Sequence, residues 1–241
     1  MDKLTESEFK KINELYSARN TVIELLNDRK YDTSNITHYT LEEFFSIYSG
    51  IENKSYKFQI LRPLDIVVYK DNNKLNSCIV KFCEHDIKQI YKDLKPEQHY
   101  LFVLCNDTFQ ITDRGQYIFD NLNLKKVSNL GISDLVEENF EVFHYKQLVR
   151  NITHHMYVPK HELLKKNTKE WNRTSDMLIK TLKINSLRQL PIIFDTDPIS
   201  RYYHAKQLDL FKITRYNKTS GKDIVYRCVV KQNNIEYGEE N

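Results

Sequence analysis

At 241 residues, the chain is long enough for one large or two modest domains with real hydrophobic cores, at roughly 100 to 200 residues per domain. Hydrophobic residues at 40% and aromatics at 12% exclude a disordered chain, and no stretch reaches the ~18 to 20 uninterrupted apolar residues of a membrane span, so a soluble globular protein without a membrane partner is expected. The net charge of +3 conceals opposed regions: residues 1–150 carry −3, residues 151–241 carry +6, and residues 151–234 without the acidic tail carry +9.

Met1 to Lys11 alternates charged and polar residues with no apolar core, so no secretory signal is expected and an intracellular, reducing setting follows. A first helix is predicted through about Ser7 to Lys30, with Ser7 as its cap, because Ile12, Leu15, Val22, Leu25 and Leu26 recur along one face. A second begins at Thr40, where Thr-x-x-Glu with Glu43 satisfies two orphan amides reciprocally. Apolar, β-branched runs at Leu64 to Tyr69 and Cys78 to Phe82 read as neighbouring strands around Asp71 to Lys74. Then βα alternation follows: helix at His85 to Leu94, buried strand at Tyr100 to Cys105, helix at Thr112 to Leu122, and a last strand at Phe140 to Tyr145.

After Asn151 the texture changes. A helix is predicted between Lys169 and Lys183, turns at Pro191 and Pro198, and two strands at Leu208 to Tyr216 and Ile224 to Val230, with Gly221 free to take a positive φ in the connection. The fold class is α+β: an α/β domain over residues 1–150, a small C-terminal α+β module over 151–234, and an acidic tail over 235–241.

Much chemistry is excluded. The 5 glycines are too scattered for a GxGxxG or a P-loop, and there is no Gly-x-Ser-x-Gly elbow, so no nucleotide cofactor or small-molecule substrate is expected. Cys78, Cys83, Cys105 and Cys228 form no CxxC pair and read as small hydrophobes, and Cys83 with His85 supplies too few zinc ligands. His154, His155 and His161 cluster, but Pro159 keeps a regular helix from presenting them together, so no metal is assigned. A helix, a strand opening at Asp65 and a second ending in Val80-Lys81 resemble a metal-dependent nuclease. That chemistry needs a carboxylate two residues before the lysine; the position is Ile79, with Glu84 beyond the strand.

The specific signal is C-terminal. Gln189-Leu190-Pro191 precedes Asp197-Pro198-x-x-Arg201-Tyr202, then Lys212-Ile213, Arg215, Thr219-x-Gly221 and Tyr226-Arg227, after an opening Asn151-Ile152-Thr153-x-His155-x-x-Val158-Pro159-x-His161. In order and spacing these resemble the shared fifth subunit of eukaryotic-type DNA-directed RNA polymerases, whose C-terminal module is similar to a small archaeal RNA polymerase subunit. Leu15, Arg19, Thr21, Asp28-Arg29 and Tyr31 carry the resemblance weakly into the first helix. Each residue also has a local account: Asp197 caps the turn that Pro198 begins, Arg201 and Arg215 offer planar forks for carboxylates, and Gly221 serves the hairpin.

The resemblance implies a non-catalytic polymerase subunit. Its C-terminal assembly module would dock on the largest subunit and meet other polymerase subunits, and a nuclease-like jaw domain without a metal site would lie beside downstream duplex DNA. The implied module-forming or interface residues are His155, Pro159, Pro191, Asp197, Pro198, Arg201, Tyr202, Arg215, Gly221, Tyr226 and Arg227. Arg114, Lys125 and Lys126 are candidates for the DNA side. The family has glycine where His204 and Leu208 stand and proline where Tyr216 stands, so a reshaped loop is expected before the hairpin, as is an insertion around Lys165 to Arg173. AT-rich usage and divergence fit a fast-evolving eukaryote, with the protein in the nucleus, or a large DNA virus, with it in the virion or viral factory. A stand-alone nucleic-acid-binding protein and a degenerate nuclease are the alternative readings.

Overall fold

The computed structural model describes residues 5–52, 64–70, 76–83, 98–105, 140–217 and 221–232, and the chain divides into two units, Met1–Arg150 and Asn151–Asn241. The predicted helices at 85–94 and 112–122, the connection at 71–74, Glu84, Arg114, Lys125, Lys126, Thr219 and the acidic tail lie outside the described residues.

The N-terminal unit opens with α1 (Glu6–Asp28) and α2 (Leu41–Glu52). The cap of α1 is Thr5, not Ser7: its hydroxyl accepts from the Glu8 amide while the Glu8 carboxylate accepts from the Thr5 amide at 2.7 Å. This is the same Thr-x-x-Glu device that starts α2, where the Thr40 amide donates to Glu43 at 2.8 Å. Ser7 lies inside the first turn because the reciprocal pair satisfies two orphan donors where a lone serine satisfies one. The far end of α1 turns at Lys30, with φ 68°, and the Tyr31 amide reaches back to the Leu26 carbonyl at 3.0 Å.

Four strands follow: β1 (Ile66–Tyr69), β2 (Ser77–Cys83), β3 (His99–Leu104) and β4 (Phe140–His144), paired in that order. The first pair is antiparallel and the next two are parallel. β3 is central, flanked in parallel on both sides, and its residues from Tyr100 to Leu104 are all buried, as the uninterrupted apolar run requires. A short helix, α3 (Tyr145–Leu148), continues from β4 and packs against α1. Leu15, Phe44, Phe82, Phe102 and Tyr145 are fully buried. All four cysteines are buried and free. Burial pushes the Cys78 and Cys83 thiols up to about 12, which keeps them protonated and inert.

The C-terminal unit is a second four-stranded sheet. Its strands are β5 (Lys160–Leu164), β6 (Ile192–Phe194), β7 (Leu210–Asn217) and β8 (Gly221–Val230), ordered β5-β7-β8-β6. The predicted hairpin is β7 and β8, and Gly221 has φ 71° where β8 begins. The two edge strands lie beyond the sequence expectation: β5 is antiparallel to β7 and β6 is parallel to β8. α4 (Lys169–Leu182) and a 3-10 turn at Leu187–Gln189 cover one face through Leu178, Leu187 and Leu190, which meet Leu164, Leu210 and Cys228. α5 (Pro198–Tyr203) sits with the opposite layer, where Ile199 and Ala205 meet Ile193, Phe211, Ile213 and Val229. Both units mix helices and sheet, so the fold class is α+β.

Candidate functional site

The C-terminal motif residues are placed mostly by backbone hydrogen bonds. Asn151 opens the unit: its Oδ1 accepts from the Thr153 amide at 2.9 Å and its Nδ2 donates to the Tyr202 hydroxyl at 3.1 Å. The next turn is closed by the Val158 amide donating to the His155 carbonyl at 2.8 Å, and His155 Nδ1 accepts from the Tyr157 amide. His161 Nδ1 lies 2.6 Å from the Pro159 carbonyl; a carbonyl only accepts, so this nitrogen carries the hydrogen. Burial holds the His161 imidazole below its ordinary pKa, so it is neutral near pH 7. His155 and His161 thus each have one ring nitrogen on the backbone, and His154, in a separate 3-10 turn, is exposed.

Asp197 caps α5, with Oδ1 accepting from the Ile199 amide at 2.8 Å and Pro198 in the first helical turn. The Pro191 carbonyl accepts from the Cys228 amide at 2.9 Å, which ties the proline turn to β8. Tyr202 is buried, Tyr226 packs against the α4-side core, and Arg201 and Arg227 are half-buried. Arg215 is exposed on β7. Most of the motif is therefore fold-forming, and Arg215 is its most solvent-facing charge.

In the loop before the hairpin His204 and Leu208 have left-handed backbones, with φ 52° and 71°. His204 terminates α5 with the Ala205 amide reaching the Ser200 carbonyl at 2.8 Å. Leu208 is clamped from both sides: its amide donates to the Val229 carbonyl at 2.9 Å, and its carbonyl accepts from Trp171 Nε1 at 3.0 Å. The next residue, Asp209, is 3% exposed, and its two oxygens accept from the Lys166 and Lys206 amides at 2.7 and 2.8 Å. Sequence reasoning missed Asp209 and Trp171. A single acid between two leucines at a strand start, and the sole tryptophan, were the available signals.

The N-terminal unit holds a different cluster, also unforeseen. Arg29 Nη1 and Nη2 donate to the two Glu141 oxygens at 2.6 and 2.8 Å, His99 Nε2 lies 2.7 Å from Glu141 Oε1, and the Tyr31 hydroxyl lies 3.3 Å from His99 Nδ1. Burial alone would lower the Arg29 pKa; the charge and hydrogen bonds of Glu141 outweigh it and leave it raised. On the same helix, buried Arg19 donates to the Thr37 carbonyl at 2.9 Å and stacks on the Tyr39 ring. Of the residues that carried the resemblance here, Leu15, Arg19, Thr21, Arg29 and Tyr31 are thus buried, and Asp28 is exposed. Asp65, weighed as a metal ligand, accepts from the Phe82 amide at 3.3 Å, and Ile79 lies within β2, paired to Val67.

Residues 150–229 match the family model described as RNA polymerase Rpb5, C-terminal domain. The chain is 31% identical over 222 residues to DNA-directed RNA polymerases I, II, and III subunit rpabc1 of Dictyostelium discoideum, a match that covers 91% of this chain and 98% of that protein. It is 27% identical over 221 residues to DNA-directed RNA polymerases IV and V subunit 5B of Arabidopsis thaliana, 89% of this chain and 88% of that one. A shorter similarity, 45% over 76 residues, reaches DNA-directed RNA polymerase subunit Rpo5 of Archaeoglobus fulgidus and covers 32% of this chain but 91% of that protein.

Proposed function

Because the chain belongs to the family of the shared fifth subunit of DNA-directed RNA polymerases, and is by itself a non-catalytic component of such an enzyme, we propose where its two units act. The C-terminal unit docks on the largest polymerase subunit, and the N-terminal unit stands as a jaw beside downstream duplex DNA. The site of action is intracellular: the nucleus for a cellular polymerase, the virion or viral factory for one encoded by a large DNA virus.

The observation that carries this reading is the distribution of similarity. The C-terminal unit coincides with the matched family domain, and a match of only 76 residues spans 91% of the archaeal relative, a protein of about this unit's size. A stretch that nearly fills one relative and is about a third of this chain fits a module that assembles and an attachment that reaches elsewhere. The motif supports it too. Asp197, Asn151, His155 and Pro191 hold the module's own backbone, and exposed Arg215, with the half-buried Arg201 and Arg227 of the same motif, is what we assign to carboxylates across an interface.

DNA proximity is assigned to the N-terminal unit, with Arg114, Lys125 and Lys126 as the candidate phosphate contacts. A net −3 over residues 1–150 does not oppose this, since a few local cations suffice for backbone contacts. The test is affinity purification of the tagged chain from its native source. Recovery of the largest polymerase subunit is expected; its absence under low-salt conditions would refute the assignment.

A further inference from the structure

The two edges of the C-terminal sheet are finished differently. β5, at one edge, carries Lys160 and Glu162, a charged pair at 2.9 Å of the kind that discourages further strand pairing. β6, at the other edge, reads Ile192-Ile193-Phe194 and has no charge. The hydrogen bonds around β6 fix which of its backbone groups face outward. The Pro191 carbonyl accepts from the Cys228 amide at 2.9 Å, and the Asp195 amide donates to the Val230 carbonyl at 3.0 Å. In a parallel ladder alternate residues bond to the same neighbour, so Pro191, Ile193 and Asp195 serve β8, and Ile192 and Phe194 turn their backbone groups away from it. The Phe194 carbonyl is taken by the Asp197 amide at 3.1 Å. This leaves the Ile192 N–H, the Ile192 C=O and the Phe194 N–H in a row on the outer edge, where no described strand pairs with them.

The side chains agree with the backbone. Ile192 and Phe194 point to one face and remain 44% and 41% exposed, whereas Ile193 between them points to the other and is buried in the α5-side core. Outward backbone groups at strand spacing, beside two half-bare apolar side chains, match an extended polypeptide. A helix has its backbone groups paired within itself, and a nucleic acid offers no alternating N–H and C=O. We propose that the outer edge of β6 receives a short extended segment of the largest polymerase subunit as a fifth strand, with apolar side chains beside Ile192 and Phe194. The proposal rests on the assembly reading above and adds the mode of docking and the kind of segment that docks. An uncharged apolar edge is a liability for a free chain, and an assembled subunit can keep one because a lasting partner covers it.

The experiment uses the full chain, tagged and co-expressed with the largest polymerase subunit. It measures capture, thermal unfolding of the free chain, and amide hydrogen exchange at Ile192 and Phe194 in the free and captured chain. Ile192→Pro removes an outward N–H and spares the β6–β8 ladder, so it is expected to lower capture about tenfold while the unfolding midpoint holds. Ile192→Val keeps the N–H and the branched side chain and is expected to hold capture within about twofold. Met177→Ser, on exposed α4, is expected to leave capture unchanged. Both outward amides are expected to exchange freely in the free chain and to be protected in the complex. Failure of the wild-type chain to capture the subunit would overturn the assembly reading and this proposal with it. Capture that is equal in wild type and Ile192→Pro, with both amides still exchanging freely in the complex, would overturn the proposal alone. Protection in the free chain that grows with its concentration would reassign the edge to a second copy, and protection lost on removing residues 233–241 would reassign it to the chain's own tail. If Ile192→Pro unfolds early, Ile192→Lys, which guards the edge with a charge, decides the question by the same capture ratio.

Discussion

The two units use their buried polar groups in opposite ways. In the N-terminal unit the central feature is side chain on side chain: Arg29 on Glu141, His99 on the same carboxylate, and Tyr31 on His99, across 112 positions of sequence between arginine and acid. In the C-terminal unit the acids hold backbone: Asp197 caps α5, and Asp209 gathers the Lys166 and Lys206 amides at the corner before β7. A buried charge pair demands that both partners be present, whereas a carboxylate on amides stabilises whatever loop surrounds it. The second arrangement fixes a module's shape while leaving arginines and lysines to its surface, which suits a module that assembles with something else.

The sharpest way to break this comparison is Glu141→Gln. It leaves Arg29 buried with its charge uncompensated, and the expected cost is about 3–5 kcal/mol. Denaturant unfolding monitored with one probe in each unit should show the loss in the N-terminal transition only. A loss below about 1 kcal/mol, against that same scale, would show the network to be incidental. Next comes Asp209→Ala, which orphans two amides and should cost about 2–6 kcal/mol at roughly 1–3 per unsatisfied group. Here the C-terminal transition should move, and Trp171 fluorescence should report it, since the indole is bonded to Leu208, the neighbour of Asp209.

His204→Gly is expected to act with the opposite sign. A non-glycine residue in the left-handed region costs about 1–2 kcal/mol, partly offset by glycine's greater unfolded-state freedom, so a gain of up to about 1 kcal/mol should appear in the C-terminal melt. Leu208→Gly should gain less or lose, because Leu208 packs against the core beside Trp171. The smallest effect is acidic. Hydrogen bonds from Lys160 and Lys212 hold the Glu162 carboxyl down at about 2, from an ordinary 4.5. A lowered folded pKa means that the stabilisation is full above pH 4.5 and is lost as pH falls toward 2. Glu162 is 36% exposed and Lys160 71%, so solvent screening should keep the acid-limb difference between wild type and Glu162→Gln below about 1 kcal/mol.

Local rules are legible wherever the determinants lie within a turn or two. The second helix and its Thr40 box, the cap at Asp197-Pro198, the buried run that forms β3, and the hairpin with Gly221 all follow from neighbours in sequence. The misplaced cap at Ser7 is itself a local matter: the Thr5–Glu8 box stands two residues away, and the reciprocal pair outweighs the lone hydroxyl. The motif order from Asn151 to Arg227 is enough to point to the polymerase family, because those residues build one small fold whose caps and turns are specific.

What the sequence could not decide is whatever needs a partner far along the chain. β6, three residues long, is a strand only because β8 lies beside it in parallel, and β5 only because β7 supplies its ladder. Nothing in the strand around Glu141 signals its partners, Arg29 and His99, which reach it from distant segments. The left-handed turns at His204 and Leu208 have no glycine to mark them. At Leu208 the constraint is tertiary: the Val229 carbonyl and the Trp171 indole hold a conformation that side-chain identity would not have chosen. Composition and local pattern thus determined the class, the two units and the family, while the charge network and the edge strands came from long-range pairing, whose free energy exists only once the chain has closed on itself.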